Sequence, residues 1–415
     1  MRGPQLSRIA WRNLWRNKRR TALTLVAIAF GGGLAVLVTA MTDRSFADFI
    51  DTAARLGGGH VTLQDPAYLD APTFAHGLHA ADRAVAVAAR DRAVGRVVPR
   101  VTGYAMAATA WASQGVAFIA YDPAREDRSS FSVLDAPIRG SWLTGDDARG
   151  TVLGSRLAAT LGVDVGDKVV LTTTDARGEI VATLARVRGI MTTGTPSLDA
   201  GLCLLPIEAA RQLLGYPPGE ATLVAVFLKD ARVAPAVARR LGRALGPGVA
   251  ALTWDQVRPD LRAFIAVKIG GSRFMELLVL LLVAAGIFNT LFVAVTERTR
   301  EFGILLAIGY QPQQIFRLVL WESLWLGLVG IAAGALLTAW PYEYLHRVGL
   351  DLSRMTGPGG AEIGGVGFDP VVHVAILPEH LAAIVVIVTL TTVAAGLYPA
   401  WRAGRVDPVQ TIKLV

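Results

Sequence analysis

Four long apolar stretches interrupt this chain, one near its beginning and three in its last third. They cover residues 21–41, 275–296, 318–340 and 381–398. At 1.5 Å per residue, a helix of about 20 residues crosses a hydrocarbon core about 30 Å thick. Each stretch is near or above that length, so the pattern predicts four transmembrane helices.

The chain between the first two stretches has a different character. From about residue 44 to residue 265 it carries scattered charges, turn-forming Gly, Pro and Asp residues, and short alternating segments such as 168–172. Alternation of this kind predicts strands with one buried face. We therefore predict an α-helical membrane protein with four transmembrane helices and a large α+β extracytoplasmic domain inserted between helices 1 and 2.

The basic residues indicate the orientation, because short loops rich in Lys and Arg stay in the cytoplasm. The segment 341–380 is mainly acidic, whereas the other segments that flank the apolar stretches are basic. Both termini are therefore predicted to lie inside and the inserted domain outside. The basic residues are Arg8, Arg12, Arg16, Lys18, Arg19 and Arg20, then Arg298, Arg300 and Arg317, and finally Arg402, Arg405 and Lys413.

This distribution accounts for the formal charge of +8 without a nucleic-acid partner. A nucleic-acid-binding module would carry its basic residues, interleaved with aromatic ones, on a soluble surface. A cleaved signal peptide stays open as an alternative for residues 21–41. Basic residues precede this run and residues 38–40 resemble a cleavage site, although the run is longer than a normal signal core.

The predicted segments follow in a simple order. The first is amphipathic, with Trp11, Leu14 and Trp15 alternating with arginines, a pattern suited to the headgroup plane. The predicted segments are this helix at 1–20, transmembrane helix 1 at 21–43, the extracytoplasmic domain at 44–265, transmembrane helix 2 at 266–296, a short cytoplasmic helix at 297–317, transmembrane helix 3 at 318–341, an extracytoplasmic loop at 342–379, transmembrane helix 4 at 380–399, and a cytoplasmic tail at 400–415.

The short cytoplasmic segment is more apolar than a solvated linker. Ile304, Leu305 and Ile308 recur at helical spacing, which predicts an apolar stripe on one helix. Gly309 is expected to end that helix, and Pro312 stands where a new one can begin. The stripe is compatible with a helix that lies under the bilayer, and equally with one that docks into a cytoplasmic partner.

Several stretches resemble one family of membrane proteins. TERTREFGILLAIGYQPQQIF at 296–316 is similar to the loop between the second and third spans of MacB/FtsX/LolC-type ABC transporter permeases, the type VII or mechanotransmission class. The resemblance continues in the family's order at four further places. These are IAWRNLWRNKRRTALT near the start, VLGSRLAATLGVDVGDKVVLTT and RGIMTTGTPSLDAGLCLLPIEAARQLLG in the insertion, and LYPAWRAGRVDPVQTIK at the end.

The resemblance implies a function and a set of partners. The short cytoplasmic helix would be the coupling helix that seats in a separate ATPase, present in two copies and binding ATP and Mg. A second permease, identical or homologous, would complete the membrane part, surrounded by membrane lipids. The residues implied in ATPase coupling are Glu301, Gly303, Ile304, Leu305, Ala307, Ile308 and Gly309.

Within the family, GHVTLQDPAYLDAP at 59–72 resembles the lipoprotein-releasing LolC/LolE branch. This implies an inner-membrane permease that extracts lipoprotein cargo by ATP-driven movement of its periplasmic domain, with a periplasmic carrier or adaptor as a further partner. Two alternatives stay open. One is an FtsX-like signalling permease that activates a cell-wall hydrolase, and the other is a MacB-like efflux permease that works with an adaptor.

The sequence offers little for chemistry within the chain itself. It contains no phosphate-binding GxxxxGK[ST] loop, and residues 162–168 are better interpreted as a turn that leads into a strand. Cys203 is the only cysteine, which excludes an internal disulfide. His76 and His79 lack a third ligand at useful spacing and favour a surface loop over a metal site. We therefore predict no catalytic, cofactor or metal site in this chain.

Glu276 and Glu322 lie near the ends of their predicted spans rather than at mid-bilayer, so the spans offer no charged conduit.

Glycines within the spans suggest close helix packing. Gly31–Gly33 would allow a bend, a close helix contact, or a lipid against the backbone. The remaining glycines would serve packing within one subunit or a dimer interface. The glycines predicted to take part in packing or a dimer interface are Gly31, Gly32, Gly33, Gly327, Gly330 and Gly334.

Overall fold

The computed structural model describes residues 3–353, 362–363, 365–367 and 371–406. Parts of the predicted 342–379 loop and of the 400–415 tail, Lys413 among them, lie outside the described residues. The helices are α1 (Gly3–Leu14), α2 (Lys18–Leu56), α3 (Ala81–Ala88), α4 (Ser155–Leu161), α5 (Pro196–Gly201), α6 (Ile207–Leu214), α7 (Ala234–Leu245), α8 (Trp254–Val257), α9 (Pro259–Glu297), α10 (Thr299–Ala307), α11 (Pro312–Arg347) and α12 (Pro378–Gly404).

The strands lie mostly between α2 and α9. They are β1 (Val61–Gln64), β2 (Val94–Ala108), β3 (Ser113–Tyr121), β4 (Ile138–Gly140), β5 (Gly150–Gly154), β6 (Lys168–Thr174), β7 (Ile180–Met191), β8 (Leu202–Pro206), β9 (Leu223–Leu228), β10 (Ala250–Thr253), β11 (Leu350–Asp351), β12 (Glu362–Ile363), β13 (Val366–Gly367) and β14 (Val371–Val372).

One compact unit is helical and draws on Met1–Ser45, Ala266–Leu350 and Val372–Val415. Among the described residues, four helices, α2, α9, α11 and α12, are long and apolar enough to cross a membrane, which confirms the predicted four spans. Their shared core is aliphatic, so it can form in lipid without unsatisfied polar groups. It includes Ile28, Ile287, Leu291, Leu326, Ile384 and Val388.

The helices and the apolar stretches do not have the same bounds. α2 and α9 each have 39 residues, or about 58 Å of helix, almost twice what a bilayer core needs. At the start of the chain, residues 15–17 separate α1 from α2. The Thr21 hydroxyl donates to the carbonyl of Leu14 across this break, at 2.6 Å.

The other unit comprises Phe46–Ile265 and Asp351–Val371 and contains the mixed sheet of the predicted α+β domain. The strand order is β10-β1-β9-β2-β3-β8-β5-β7-β4, and β6 pairs with both β2 and β7. β2 spans the sheet because its first half pairs with β9 and its second half with β3 and β6. The pairs β3–β8 and β5–β7 are parallel.

Two local expectations can be compared with this unit. The turn expected at 162–168 is confirmed: Gly162 and Gly166 have φ of 66° and 100°, and β6 begins at Lys168. The described residues 351–353, 362–363, 365–367 and 371, within the predicted extracytoplasmic loop at 342–379, group with the inserted domain. Glu362 accepts hydrogen bonds there from the backbone N–H and hydroxyl of Ser197, at 3.0 and 3.1 Å.

Candidate functional site

The segment predicted to be a short cytoplasmic helix forms a separate helix, α10, with defined ends. Gly309, at φ 101°, follows its C-terminus, where a left-handed residue commonly ends a helix. α11 then begins at Pro312, whose fixed φ suits the first turn. The side chains of Gln311 and Gln314 form a capping box around this start. The positions of Gly309 and Pro312 thus agree with the sequence pattern.

One face of α10 packs against the protein. Phe302 is fully buried and Gly303 is buried beside it, while Leu305 and Leu306 are half-buried against the same apolar cluster. Burying a side chain such as phenylalanine contributes about 1.5–3 kcal/mol. The cluster is completed by residues of α9, α11 and α12, namely Val295, Ile315, Val319, Ala400 and Ala403.

The opposite face of α10 is apolar and exposed. Ile304 and Ile308 are 47% and 68% exposed, and Ala307 and Gly309 lie open beside them. The seven residues expected to couple to an ATPase therefore divide. These four face outward, while Gly303 and Leu305 belong to the buried face. An exposed apolar face of this kind fits either a docked or an interfacial helix.

Glu301, the remaining predicted coupling residue, lies in a network of ion pairs. It accepts from Arg16 at 2.5 Å and from Arg298 Nε at 3.0 Å. Arg298 Nη1 also donates to both carboxylate oxygens of Glu322 on α11, at 3.0 and 3.2 Å. Asn13 on α1 donates to the same carboxylate at 2.8 Å.

A second, bidentate pair lies beside this network. The two Nη atoms of Arg20, near the start of α2, donate to the carboxylate oxygens of Glu297 at 2.8 and 2.7 Å. All of these charged residues except Glu301 line a cavity of about 300 Å³, together with residues of α1, α2, α9 and α11. We call Arg16, Arg20, Glu297, Arg298, Glu301 and Glu322 the clasp.

Glu301 and Arg298 lie outside the spans, and both stay charged. Burial raises the pKa of Glu301, but the hydrogen bonds and charges of Arg16 and Arg298 together lower it by more, so the net pKa lies below its ordinary value. Burial lowers the pKa of Arg298, but the charges and hydrogen bonds of Glu322 and Glu301 together raise it by more. The attractions within the clasp therefore exceed the cost of partial burial.

The pattern of the sequence did not identify the clasp. The sequence pattern places Arg298 in a basic flank that stays inside, and it places Glu322 only near the end of a span. Glu322 itself was the signal that could have indicated an ion pair, because a carboxylate within an apolar run is usually paired with another polar group. The pairing itself is not readable, since Asn13 and Glu322 are 309 residues apart.

The glycines predicted to take part in packing lie mostly against helices of the same chain. A Cβ added to Gly330 would lie 2.5 Å from Ile28 Cγ2, and one on Gly334 would lie 3.1 Å from the carbonyl oxygen of Ala29. Added Cβ atoms on the others would meet side chains at 2.3 Å for Gly31 (Val283), 2.3 Å for Gly33 (Thr338) and 3.1 Å for Gly327 (Thr392).

Gly32 is the exception within this set. Among the described residues, no heavy atom outside its own helical surroundings lies within 4 Å of a Cβ built there. It lines an apolar cavity of about 230 Å³ between α2, α11 and α12. Five of the six glycines therefore allow close approach within one chain, and Gly32 faces open space.

The sheet carries a second exposed apolar surface. In the register of β2, β6 and β7, Met106 lies opposite Thr172, and Val170 lies opposite Leu184. These positions share one face, because alternate residues of a strand point to the same side. Its exposed large apolar residues are Tyr104, Met106, Val170, Ile180 and Leu184, and Trp111 is 93% exposed in the β2–β3 turn.

No metal or redox centre emerges from the described residues. No group of three or more potential ligands there could hold a metal ion. His79 Nδ1 instead lies 2.7 Å from Glu220 Oε1. Cys203 is fully buried, and burial raises the pKa of its thiol to about 12.

Comparison with known families divides the chain into two matched regions. Residues 21–244, just over half of the chain, match the family described as the MacB-like periplasmic core domain. Residues 273–408 match the FtsX-like permease C-terminal region. The matches include α10 and the clasp residues of α9 and α11.

Curated relatives match at low identity. "Lipoprotein-releasing system transmembrane protein LolC" of Xylella fastidiosa (strain 9a5c) is 23% identical over 436 residues, which cover 98% of each protein. "Pyoverdine export ATP-binding/permease protein PvdT" of Pseudomonas fluorescens (strain Pf0-1) is 25% identical over 97% of this chain and 58% of that protein. The periplasmic region of MacB from Actinobacillus actinomycetemcomitans matches 52% of this chain and 98% of that structure, at 13% identity and a TM-score of 0.35.

Proposed function

Because the chain belongs to the MacB/FtsX/LolC type of ABC transporter permeases, we propose that it is the membrane subunit of a transporter that releases lipoproteins from the inner membrane. The single observation that supports this substrate class is the match to a LolC protein, which extends over 98% of both chains. The match to the pyoverdine exporter covers only 58% of that relative.

In this proposal the chain does not hydrolyse ATP. Two copies of a separate cytoplasmic ATPase bind ATP and Mg, and each permease contributes its α10. The support is geometric: Ile304, Ala307 and Ile308 form an outward apolar face on a helix whose other face is anchored by Phe302. A rigid helix with one exposed apolar stripe is the element that a groove on a partner protein can bind.

The proposed cycle moves helices rather than opening a pore. Closure of the ATPase pair would shift α10 and the spanning helices, and this movement would drive the periplasmic domain to lift cargo out of the bilayer. α2 and α9 support this proposal because both continue well beyond the length that a bilayer requires. Stiff helices of this length can carry displacement without stretching.

The proposed location is the inner membrane, with both termini in the cytoplasm and the large domain in the periplasm. A second permease, identical or homologous, completes the membrane part. The exposed apolar face of β2, β6 and β7 is the surface we assign to lipoprotein cargo or to a periplasmic carrier. Tyr104, Met106 and Leu184 provide the apolar area that such a contact requires.

The test is purification of the chain from native membranes in mild detergent, with identification of bound proteins by mass spectrometry. An ABC ATPase together with acylated proteins is the expected result. An ATPase with a periplasmic adaptor and no acylated protein would replace lipoprotein release by export. Recovery of no ATPase would contradict the permease assignment.

Export is the second candidate function, and the pyoverdine-export relative favours it. That relative carries an ATP-binding part according to its name, whereas this chain contains no phosphate-binding loop motif. Reconstitution in vesicles distinguishes the two. Release of an acylated protein to the aqueous phase supports the first function, and ATP-dependent movement of a small solute supports the second.

A further inference from the structure

The clasp connects elements that are remote in sequence. Arg16 lies in the break before the first long helix, and Arg20 lies at the beginning of that helix. Glu297 ends the second long helix, Arg298 lies between it and α10, Glu301 lies on α10, and Glu322 lies inside the third long helix. Ion pairs of 2.5–3.0 Å join all four elements. Two helices that touch only through apolar side chains can slide, whereas hydrogen-bonded ion pairs fix their register.

Arg298 is the residue on which these contacts converge. Its side chain is 16% exposed and that of Glu322 11%, so neither charge is screened like a surface charge. Its guanidinium carbon also lies 5.2 Å from the centre of the Phe302 ring, the apolar anchor of α10. One side chain thus contacts the carboxylate of α11, the carboxylate of α10 and the buried ring of α10.

The exposed apolar residues of α10 and the central charges of the clasp involve different side chains. Ile304 and Ile308 are exposed, whereas the side chains of Arg298 and Glu322 are only 16% and 11% exposed. Glu301 lies on the same side of the helix as Ile304 and Ile308, so a change at Arg298 or Glu322, rather than at Glu301, leaves the exposed stripe in place. Binding of a partner and transmission of its movement can therefore be changed independently by mutation. A purely stabilising ion pair would not be expected to separate these two properties.

We propose that Arg298 is a positioning residue of the transport cycle. It fixes α10 to the third spanning helix, and with Arg16 and Arg20 it links both to the first and second helices. ATP-driven displacement of α10 is then passed to three spanning helices together. This inference rests on the proposed function, because it assigns a path to movement that a bound ATPase supplies.

The first test is Arg298→Gln in the full permease, purified with its ATPase and reconstituted. We expect ATPase recovery and the KM for ATP to stay unchanged, while the permease-dependent stimulation of kcat falls about fivefold or more, within the range of energetic coupling between sites. Glu322→Gln should give the same loss. The double variant should be no worse than either single one, since both remove one interaction.

The second test uses the more exposed pair and does not depend on a buried charge. Arg20→Glu and Glu297→Arg should each reduce stimulation, and the combined charge swap should restore it. Arg317→Gln is the matched control, because it removes an exposed cationic side chain from the cytoplasmic end of α11. It is expected to leave stimulation unchanged.

The outcomes separate the inference from the proposed function. If the unmodified chain recovers its ATPase but Arg298→Gln and the single charge reversals keep full stimulation, the positioning role is overturned and the permease function stands. If the charge swap fails to restore stimulation, the pairing is not what transmits movement. If the unmodified chain recovers no ATPase, the proposed function fails and the coupling role fails with it.

Discussion

Arg100 and Glu126 form a fully buried ion pair in the inserted domain. Arg100 Nε donates to Glu126 at 2.9 Å, and Nη2 donates to Glu126 at 2.6 Å and to the Ser130 carbonyl at 2.8 Å. Its Nη1 donates to the carbonyls of Arg55 and Gly57, where α2 ends. Since the last carbonyls of a helix lack partners within it, this arginine satisfies the C-terminus of α2.

Glu126→Gln should destabilise the protein strongly, because it leaves the Arg100 guanidinium buried without a counter-charge. We expect the free energy of unfolding to fall by about 3–5 kcal/mol, measured by denaturant unfolding of the full chain in detergent. Asp127→Asn is the control. Its partner Arg96 is 35% exposed and Asp127 itself 53%, so the loss should stay below about 1 kcal/mol. Equal losses in both variants would contradict the special role of the buried pair.

The span glycines allow a second comparison at this scale. Gly330→Ala would place a Cβ 2.5 Å from Ile28 Cγ2, so α2 and α11 must move apart. Overpacking of this kind costs about 1–3 kcal/mol. Gly32→Ala meets no heavy atom within 4 Å among the described residues and should be neutral or slightly stabilising. Thermal unfolding of both variants in detergent is the measurement. A loss for Gly32→Ala and none for Gly330→Ala would place the tight contact elsewhere.

At the scale of single elements, α10 has one buried face and one exposed apolar face. Ile304→Asp and Ile308→Asp should reduce recovery of the ATPase about tenfold or more, because truncating an apolar anchor at the centre of an interface costs more than 1 kcal/mol. The fold should be unaffected, since both side chains are exposed. Co-purification from membranes is the measurement.

The control for this prediction is Ile180→Asp. Ile180 is 80% exposed on β7, and the substitution is chemically the same as Ile308→Asp. It should leave ATPase recovery unchanged. If all three variants lose the ATPase equally, the added charge acts through general destabilisation, and α10 is not the docking element.

The sequence predicted elements better than their ends or partners. Apolar length alone located the four spans, but α2 continues past residue 43 to Leu56. No glycine or proline stands between Asp43 and Leu56, and the helix stops where Gly57 begins a run of three glycines. The break at residues 15–17 has no such residue, so nothing in the local sequence indicated it.

The sequence pattern does not predict which distant segments contact one another. The alternation at 168–172 predicted a strand, yet not that β6 would pair with β2 as well as with β7. Likewise, one apolar stripe and one motif indicate the seven coupling residues. Their division into outward and buried sets depends on Ala400 and Ala403 of α12, which pack beneath α10 from almost a hundred residues away.

For the whole molecule, the chemistry of Cys203 makes membrane orientation directly measurable. The thiol is fully buried, and burial raises its pKa to about 12. Thiol reagents attack the thiolate, which is scarcely populated near neutral pH at such a pKa. The unmodified chain therefore provides a background in which a single added cysteine reports its own location.

Trp111→Cys and Ile308→Cys introduce such a reporter cysteine on the proposed periplasmic side and the proposed cytoplasmic side, respectively. Both positions are well exposed, at 93% and 68%. With the proposed orientation, a membrane-impermeant maleimide added to spheroplasts should label the Trp111→Cys variant, but neither the unmodified chain nor the Ile308→Cys variant. Ile308→Cys should react after the membrane is opened with detergent. Because loop charges alone gave the orientation, the reverse labelling pattern would mean that the basic segments lie outside, and the contact between α10 and a cytoplasmic ATPase would be impossible.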